Sequence, residues 1–389
     1  MNKRIKVYIF ASSNDSIQNI VRPIEAYPDF NIVGSSTSED KATKKIAFLK
    51  PSILFIDFEE ISTIEMIGRI IKKTHEQSPS TFIVVLINRG MTYNMRILYQ
   101  EGADDFVYKP LDEQSLITIE KNYNRKKMVY PEGYVKEKRI SKVISFISPK
   151  GGVGKTFIAA NVAIGLANLL EKKVLYIDCS FPFSDVPIIL DISYSNKNLY
   201  DLVSLLGEGA RENIEDYILH IDSVNISFLV PPKTLPESAY IFSHIPEFSK
   251  TIEYMKDFFD YTVIDFSPRY YDTMPGIIGL SDQVFAVITS EANSAILLRQ
   301  FKEELMKQGV PFDPKVIMNR RNKKILSSVG SEIRTILPDG VFAYVTDDLR
   351  TVANDFNKGI PTIVSSSKTK VGKDLVNLVK SIAQVIENG

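Results

Sequence analysis

The chain has 389 residues, with 47 Lys+Arg against 47 Asp+Glu and hydrophobic residues at 44%. That length suits about two or three domains, each able to bury its own core, and the zero formal charge gives no global attraction to nucleic acid or acidic lipid. One cysteine, Cys179, excludes an internal disulfide and fits a reducing cytoplasm. It follows an apolar strand and reads as a buried small hydrophobe rather than a reactive thiol. His75, His220 and His244 are scattered, without Cys or acidic neighbours at ligand spacing, so a metal site built on them is not expected. Met1-Asn2-Lys3-Arg4 runs straight into apolar strand sequence without a signal h-region, and no apolar run approaches the ~20 residues of a membrane span. We therefore expect a cytoplasmic protein with no integral membrane segment, polar or peripherally membrane-associated only through partners.

Along the chain, short β-rich runs alternate with helical patterns, which predicts an α/β protein with parallel sheets. In the first half the strands read Lys6–Phe10, Asn31–Ser35, Ile53–Asp57, Phe82–Ile87 and Asp105–Val107, with helices such as Ser16–Ala26 and Lys41–Leu49 between them. Five βα units predict a flavodoxin-like (βα)5 domain over residues 1–123. Residues 124–140 are polar and positively charged, with Pro131-Glu132-Gly133 in their middle, and read as a linker.

A second α/β domain, with a mostly parallel sheet, is expected over residues 141–389. Its strand Val143–Ile147 runs into Lys150-Gly151-Gly152-Val153-Gly154-Lys155-Thr156 and a helix to about Leu170. Further strands read Val174–Asp178, Ile226–Val230, Tyr261–Asp265, Gln283–Ile288, Val316–Met318 and Gly340–Tyr344. The last helix, about Lys373–Ile386, carries Leu375, Leu378, Val379, Ile382 and Ile386 on one face, a stripe expected to pack on the sheet.

A strand, a glycine-rich loop and a helix opening on Lys-Thr together form a phosphate cradle, a P-loop. The glycines let backbone N–H groups converge on phosphate oxygens at a helix N-terminus. Lys155 can neutralise β/γ-phosphates and the Thr156 hydroxyl can ligate Mg²⁺, so the cofactors expected are ATP and Mg²⁺. Asp178 and Asp265 each end a buried parallel strand, where open α/β sheets bind ligands, and both can organise Mg²⁺ through its waters.

The usual pattern GxxxxGK[ST] requires glycine where Pro149 stands, and Lys150 opens the motif instead. That form resembles the deviant Walker A loop of the ParA/MinD family. The resemblance implies that Lys150 reaches across a homodimer interface to the partner's nucleotide. In the same order, Val174-Leu175-Tyr176-Ile177-Asp178 resembles the family's Walker A′ strand and Tyr261-Thr262-Val263-Ile264-Asp265 its Walker B strand. Asn319-Arg320 resembles its adenine-reading segment, and Leu349-Arg350 with Gly359-Ile360-Pro361 its C-terminal portion. These matches span about 240 residues. Family members commonly have Asp-x-Asp where this chain has Asp178-Cys179-Ser180, and the second Asp helps position the attacking water. A hydroxyl supplies neither its charge nor its basicity, a loss that typically forfeits about 10²–10⁴ in rate, so hydrolysis is expected to be slow. Asp185 is a candidate substitute.

The first domain resembles a response-regulator receiver. Asp57 stands at the position of the phosphate-accepting aspartate, and Lys109-Pro110 resembles the closing segment whose lysine contacts the phosphoryl group. The acidic pair that holds Mg²⁺ in that family is replaced by Ala11-Ser12, and Asn88 stands near the place of the hydroxyl after the fourth strand. This implies a pseudo-receiver that docks or dimerises rather than accepting phosphate. A receiver-like domain ahead of a ParA/MinD-type ATPase is the arrangement of the CpaE/TadZ family, and Phe183-Ser184-Asp185-Val186 is also similar to that group. The resemblance implies a localisation factor for Tad (Flp) pilus assembly, with the pilus secretion machinery as partner. A DNA-partition ATPase that binds nonspecific DNA as an ATP dimer is the alternative. Zero net charge and the lack of a helix-turn-helix pattern weigh against it.

Overall fold

The apolar runs of the first half become strands β1 (Ile5–Phe10), β2 (Phe30–Ser36), β3 (Ile53–Asp57), β4 (Phe82–Ile87) and β5 (Asp105–Tyr108). Interleaved with them are helices α1 (Asn14–Glu25), α2 (Glu39–Leu49), α3 (Ile64–Gln77), α4 (Met95–Glu101) and α5 (Glu113–Val129). They come from a computed structural model that describes residues 4–59, 63–88, 95–129, 141–180, 184, 186–189, 197–207, 214–266 and 274–388. By contact the chain divides into two units. One comprises residues 1–138 with 204–211 and 245–250, and the other 139–203, 212–244 and 251–389.

In the first unit the five strands are all parallel, in the order β2-β1-β3-β4-β5, the flavodoxin-like arrangement. Every residue of β3 and β4 is buried, because helices cover both faces of a parallel sheet. Period-two alternation then splits the core in two. Leu54, Ile56, Ile83 and Val85 pack with Ile67, Ile70 and Ile71 on one face. Ile53, Phe55, Val84 and Leu86 pack with Ile17, Ile20 and Ile119 on the other. Helix α5 continues through Val129, so the start of the segment expected as linker is helical. Its Lys, Asn and Arg residues are polar but compatible with a helix, and no breaker intervenes before Pro131.

The second unit holds β6 (Lys142–Ile147), β7 (Val174–Cys179), β8 (Ile218–Ile221), β9 (Ile226–Leu229), β10 (Tyr261–Phe266), β11 (Gln283–Ile288), β12 (Lys315–Arg321) and β13 (Ala343–Thr346). They form one eight-stranded sheet, β13-β12-β11-β6-β10-β7-β9-β8, parallel except for the β8–β9 pair. Strand β8 was not expected. It is four residues long, lies at the sheet edge and is only half-buried, so it lacks the continuous apolar run of a central strand. The final strand lies at Ala343–Thr346 rather than Gly340–Tyr344, because Gly340 takes a left-handed φ of 81° in the turn before it.

Helix α6 (Lys155–Leu170) follows the loop after β6 and is buried almost without interruption from Ile158 to Ala167. An all-apolar surface is that of a helix enclosed by its own domain. The C-terminal helix Lys370–Asn388 packs against α6 and β13 and buries Leu375, Leu378, Val379, Ile382 and Ile386, as the stripe predicts. Asn161, on α6, ties this layer together: its Oδ1 accepts the Ile363 N–H at 2.8 Å, and its Nδ2 donates to the Phe157 carbonyl at 2.8 Å. At Gly165 the packing leaves no room for a side chain, since a Cβ there lies 2.5 Å from Val379 Cγ2 and 2.7 Å from Ile363 Cδ1. Gly165→Val is expected to destabilise this unit by about 1–3 kcal/mol through overpacking, read as a lower urea midpoint with an unchanged m-value.

Candidate nucleotide site

The parallel register brings the sequence-predicted residues together. Strand β10 lies between β6 and β7, with Asp265 opposite Asp178 and the start of the phosphate loop emerging beside them from β6. Gly152 and Gly154 adopt φ of 76° and 86°, which L side chains rarely accept, and so turn the loop's backbone toward a concave cradle. A Cβ on Gly151 or Gly152 meets nothing within 4 Å, so the space over the loop is open. Gly154 differs: its missing side chain makes room for Asn319, whose Nδ2 donates to the Val153 carbonyl at 2.9 Å. Asn319 thus braces the loop from β12, with its amide donor committed there. Arg320 beside it is exposed, with φ of 51°.

Beneath the loop, the Lys155 ammonium pairs with Asp265 Oδ1 and lies 3.5 Å from the Ser180 hydroxyl. Lys155 is 7% exposed and Asp265 fully buried, so each charge depends on the other for compensation. Both oxygens of Asp178 are engaged: the Ser180 amide donates to Oδ1 at 2.8 Å and the Ser184 hydroxyl donates to Oδ2. Asp265 Oδ2, by contrast, has no hydrogen-bond partner among the described residues. A buried carboxylate oxygen without a donor, beside an open glycine cradle and the Thr156 hydroxyl at the helix start, fits a hydrated Mg²⁺ carried in with phosphate. The Tyr176 phenol, two residues before Asp178, is fully buried on the same strand face. Burial, then the charges of Asp265 and Asp178, hold it well above its ordinary value, so the phenol keeps its proton.

Lys150 is placed differently from Lys155. It is 41% exposed at the mouth of the loop, its ammonium 3.5 Å from Glu291 Oε2. The Thr289 hydroxyl donates to that oxygen at 2.6 Å, and this bond, followed by Lys150 and Arg320, holds Glu291 below its usual range. Glu291 and Thr289 were not singled out from sequence, and Ser184 and Tyr176 entered only within longer motif strings, without a role of their own. Glu291 follows β11 with no recognisable spacing to the loop, and the signal that could have found Tyr176 is a polar tip within an otherwise apolar strand. Asp185 lies outside the described residues, as do Phe183 and the rest of 181–183.

In the first unit, Asp57 ends β3 and the Lys109 ammonium binds its Oδ1 at 2.6 Å. Ala11 is buried and Ser12 donates to Glu59, as does Ser16 at 2.6 Å. Glu59 also lies 3.9 Å from Lys109. Burial raises the Asp57 carboxyl, opposed by Lys109. Hydrogen bonds from Ser12 and Ser16 hold Glu59 below its usual range. Glu59 was missed, although it stands two residues beyond Asp57.

Burial, then the Asp265 carboxylate, raises Asp178 to about 6, against hydrogen bonds from Ser184 and Ser180 and the attraction of Lys155. The folded state therefore binds this proton more tightly than the unfolded chain. Its stabilising contribution is fully present below the ordinary value of 3.8 and is lost as pH rises through about 6. In urea unfolding of nucleotide-free protein, lowering the pH from ~7.5 to ~5 is expected to stabilise the wild type relative to Asp178→Asn by about 1 kcal/mol. An equal pH response in the two proteins counts against the coupled pair.

Comparison with known proteins agrees with this geometry. Residues 141–308 match the family model described as AAA domain. An uncharacterized ATP-binding protein of Methanocaldococcus jannaschii is 28% identical over 207 residues, 53% of this chain and 74% of the relative. The septum site-determining protein MinD of Helicobacter pylori is 25% identical over 231 residues, 57% of this chain and 83% of the relative. Among solved structures, a ParA family ATPase from Chlorobium tepidum superposes with a TM-score of 0.55 at 21% identity, covering 62% of this chain and 98% of that one. MinD of Pyrococcus horikoshii, complexed with Mg-ADP, gives 0.53 at 19% identity, covering 63% and 97%. Loop, strand order and relatives converge: the P-loop region of this chain is similar in sequence to MinD-type ATP-binding proteins and shares its fold with ParA and MinD ATPases.

Proposed function

We propose that this chain binds Mg-ATP, closes into a homodimer around it, hydrolyses it slowly and serves as a localisation factor of the CpaE/TadZ type for Tad (Flp) pilus assembly. The observation that carries the nucleotide reading is the division of labour between two lysines on one loop. Lys155 is buried against Asp265 under the cradle, placed to neutralise the β/γ-phosphates of its own nucleotide. Lys150 stands at the rim, half-exposed on Glu291, where a second copy's nucleotide can recruit it. Gly151, Gly152 and Gly154 supply the backbone cradle, Thr156 and Asp265 hold the Mg²⁺ shell, and Asn319 fixes the loop while Arg320 flanks the adenine. Mg²⁺, when bound, neutralises charge on the β/γ-phosphates.

Slow hydrolysis follows from what faces the γ-phosphate position. Ser180 offers a hydroxyl in place of a carboxylate, and both oxygens of Asp178 are already hydrogen-bonded. Neither group is a free base for an attacking water. The pilus reading rests on architecture: a five-stranded flavodoxin-like unit precedes the P-loop unit, and Lys109 and Glu59 already occupy the surroundings of Asp57. Such a pocket suits a docking module with pilus machinery as partner. Association with that machinery is, on this reading, through partner proteins; among the described residues no helix is long and apolar enough to cross a membrane.

Sedimentation with ATP, ADP or no nucleotide tests the first part. ATP is expected to dimerise the wild type, or to tighten an existing dimer, and to leave Lys150→Ala unchanged; a wild type indifferent to ATP defeats the reading. Steady-state turnover is expected well below ~1 s⁻¹, the lower end of working phosphoryl-transfer enzymes. Strong, salt-dependent retention of the ATP form on DNA instead favours the partition alternative. For the first unit, small phosphodonors are expected not to label the protein. Stoichiometric labelling lost in Asp57→Ala shows an active receiver.

A further inference from the structure

Strand β7 reads Val174-Leu175-Tyr176-Ile177-Asp178-Cys179 and is buried along its whole length. A tyrosine in such a strand is costly unless its hydroxyl is used. A buried hydroxyl without a partner gives up its hydrogen bonds to water for nothing, and phenylalanine would fill the same space without that cost. Packing does not call for the oxygen: the Tyr176 ring stacks on Phe228, with centroids 5.9 Å apart and planes at 16°, a contact that needs only the ring. Yet Tyr176 Oη has no hydrogen-bond partner among the described residues.

The complementary orphan lies on the neighbouring strand. In the β7–β10 register Tyr176 faces Val263 and Asp178 faces Asp265. Side chains two apart share a sheet face, so the phenol and both carboxylates stand on one side of the sheet, the side covered by α6. Asp178 has both oxygens satisfied by Ser180 and Ser184. Asp265 has Lys155 on Oδ1 and nothing on Oδ2. Thr262, the other buried orphan hydroxyl on these two strands, is odd in register with Asp265 and faces the opposite side. The phenol thus adjoins the Asp265 carboxylate, close enough for that carboxylate to hold its proton, without a hydrogen bond of full geometry between them.

We propose that Tyr176 is a positioning residue for Asp265, its hydroxyl donating to the carboxylate when Lys155 leaves it for nucleotide phosphate. The inference rests on the Mg-ATP reading of the site. Lys155 has one ammonium and two claims on it. Once phosphate draws it away, Asp265 is left as a buried carboxylate without its counter-charge and with nothing to fix its orientation. A phenol bond to a carboxylate is charge-assisted and fixes its orientation toward the Mg²⁺ shell. Tyr176 therefore acts on the metal-dependent part of nucleotide affinity and not on the phosphate cradle.

The test is calorimetric titration of ATP into the full chain, in Mg²⁺ and in EDTA, for wild type and Tyr176→Phe, with thermal unfolding of the nucleotide-free proteins. Tyr176→Phe keeps the stacked ring and removes only the hydroxyl. Its nucleotide-free midpoint is expected to equal or exceed that of wild type, and its affinity in EDTA to stay within about twofold. The gain in affinity conferred by Mg²⁺ is expected to shrink about tenfold, the scale of one hydrogen bond to a charged group. A Mg²⁺-dependent gain equal to wild type, or an equal loss with and without Mg²⁺, overturns the role assigned to Tyr176. So does a lowered nucleotide-free midpoint, which marks the hydroxyl as a structural group. A wild type that does not bind ATP at all overturns the nucleotide reading together with it.

Discussion

The P-loop unit is organised around one buried ion pair, Lys155 with Asp265, at the carboxyl ends of its central strands. Neither charge is tolerable alone: removing one partner of such a pair typically costs about 3–5 kcal/mol, because the other stays buried and unpaired. The arrangement is reached only because β6, β10 and β7 are parallel neighbours, which places the loop lysine and two strand-end aspartates at one edge. Without nucleotide, Lys155 is the counter-charge of the carboxylates. With phosphate it has a second and stronger claimant. The pair therefore already contains charges needed for binding, arranged against each other.

Around this pair, packing limits how the loop can move. Helix α6 begins at Lys155 itself and is enclosed by the sheet and the C-terminal helix, with Gly165 allowing the closest approach. Asn319 reaches from β12 to the Val153 carbonyl, and Asn161 reaches from α6 to the Ile363 amide. The first hydrogen bond fixes the loop from the sheet and the second fixes the helix that follows it. Phosphate-binding N–H groups gain strength from being held in place before the ligand arrives, since no ordering remains to be done on binding.

The first unit repeats the same motif in weaker form. Asp57 also ends a central parallel strand and is also met by a lysine, here Lys109 from the end of β5. The surroundings differ, because Glu59, held by Ser12 and Ser16, brings a second carboxylate within 3.9 Å of the same ammonium. One cation shared between two carboxylates satisfies the pocket from within. The strand order is flavodoxin-like, and the charges at the end of its central strand balance one another.

Much of this was legible in the chain itself. Continuous apolar runs such as Ile53–Asp57 and Tyr261–Asp265, alternating with helical patterns, determine parallel strands buried on both faces, because only flanking helices can cover two apolar faces. The loop from Lys150 to Thr156 is equally legible, since backbone convergence on phosphate needs glycines at fixed spacing. Weakly patterned elements were not. Edge strand β8 buries too little to leave a continuous apolar signal, and the helical Lys, Asn and Arg residues at the end of α5 look like linker when only polarity is considered. Tertiary structure alone decided which side chains meet across long separations: Lys150 with Glu291, Asn319 with Val153, Glu59 with Ser12 and Ser16, and the Tyr176 phenol beside Asp265. Local sequence specifies φ, ψ and which face of a strand a residue occupies, but partners from distant segments are chosen by strand order and register, and those are set by the packing of the whole sheet.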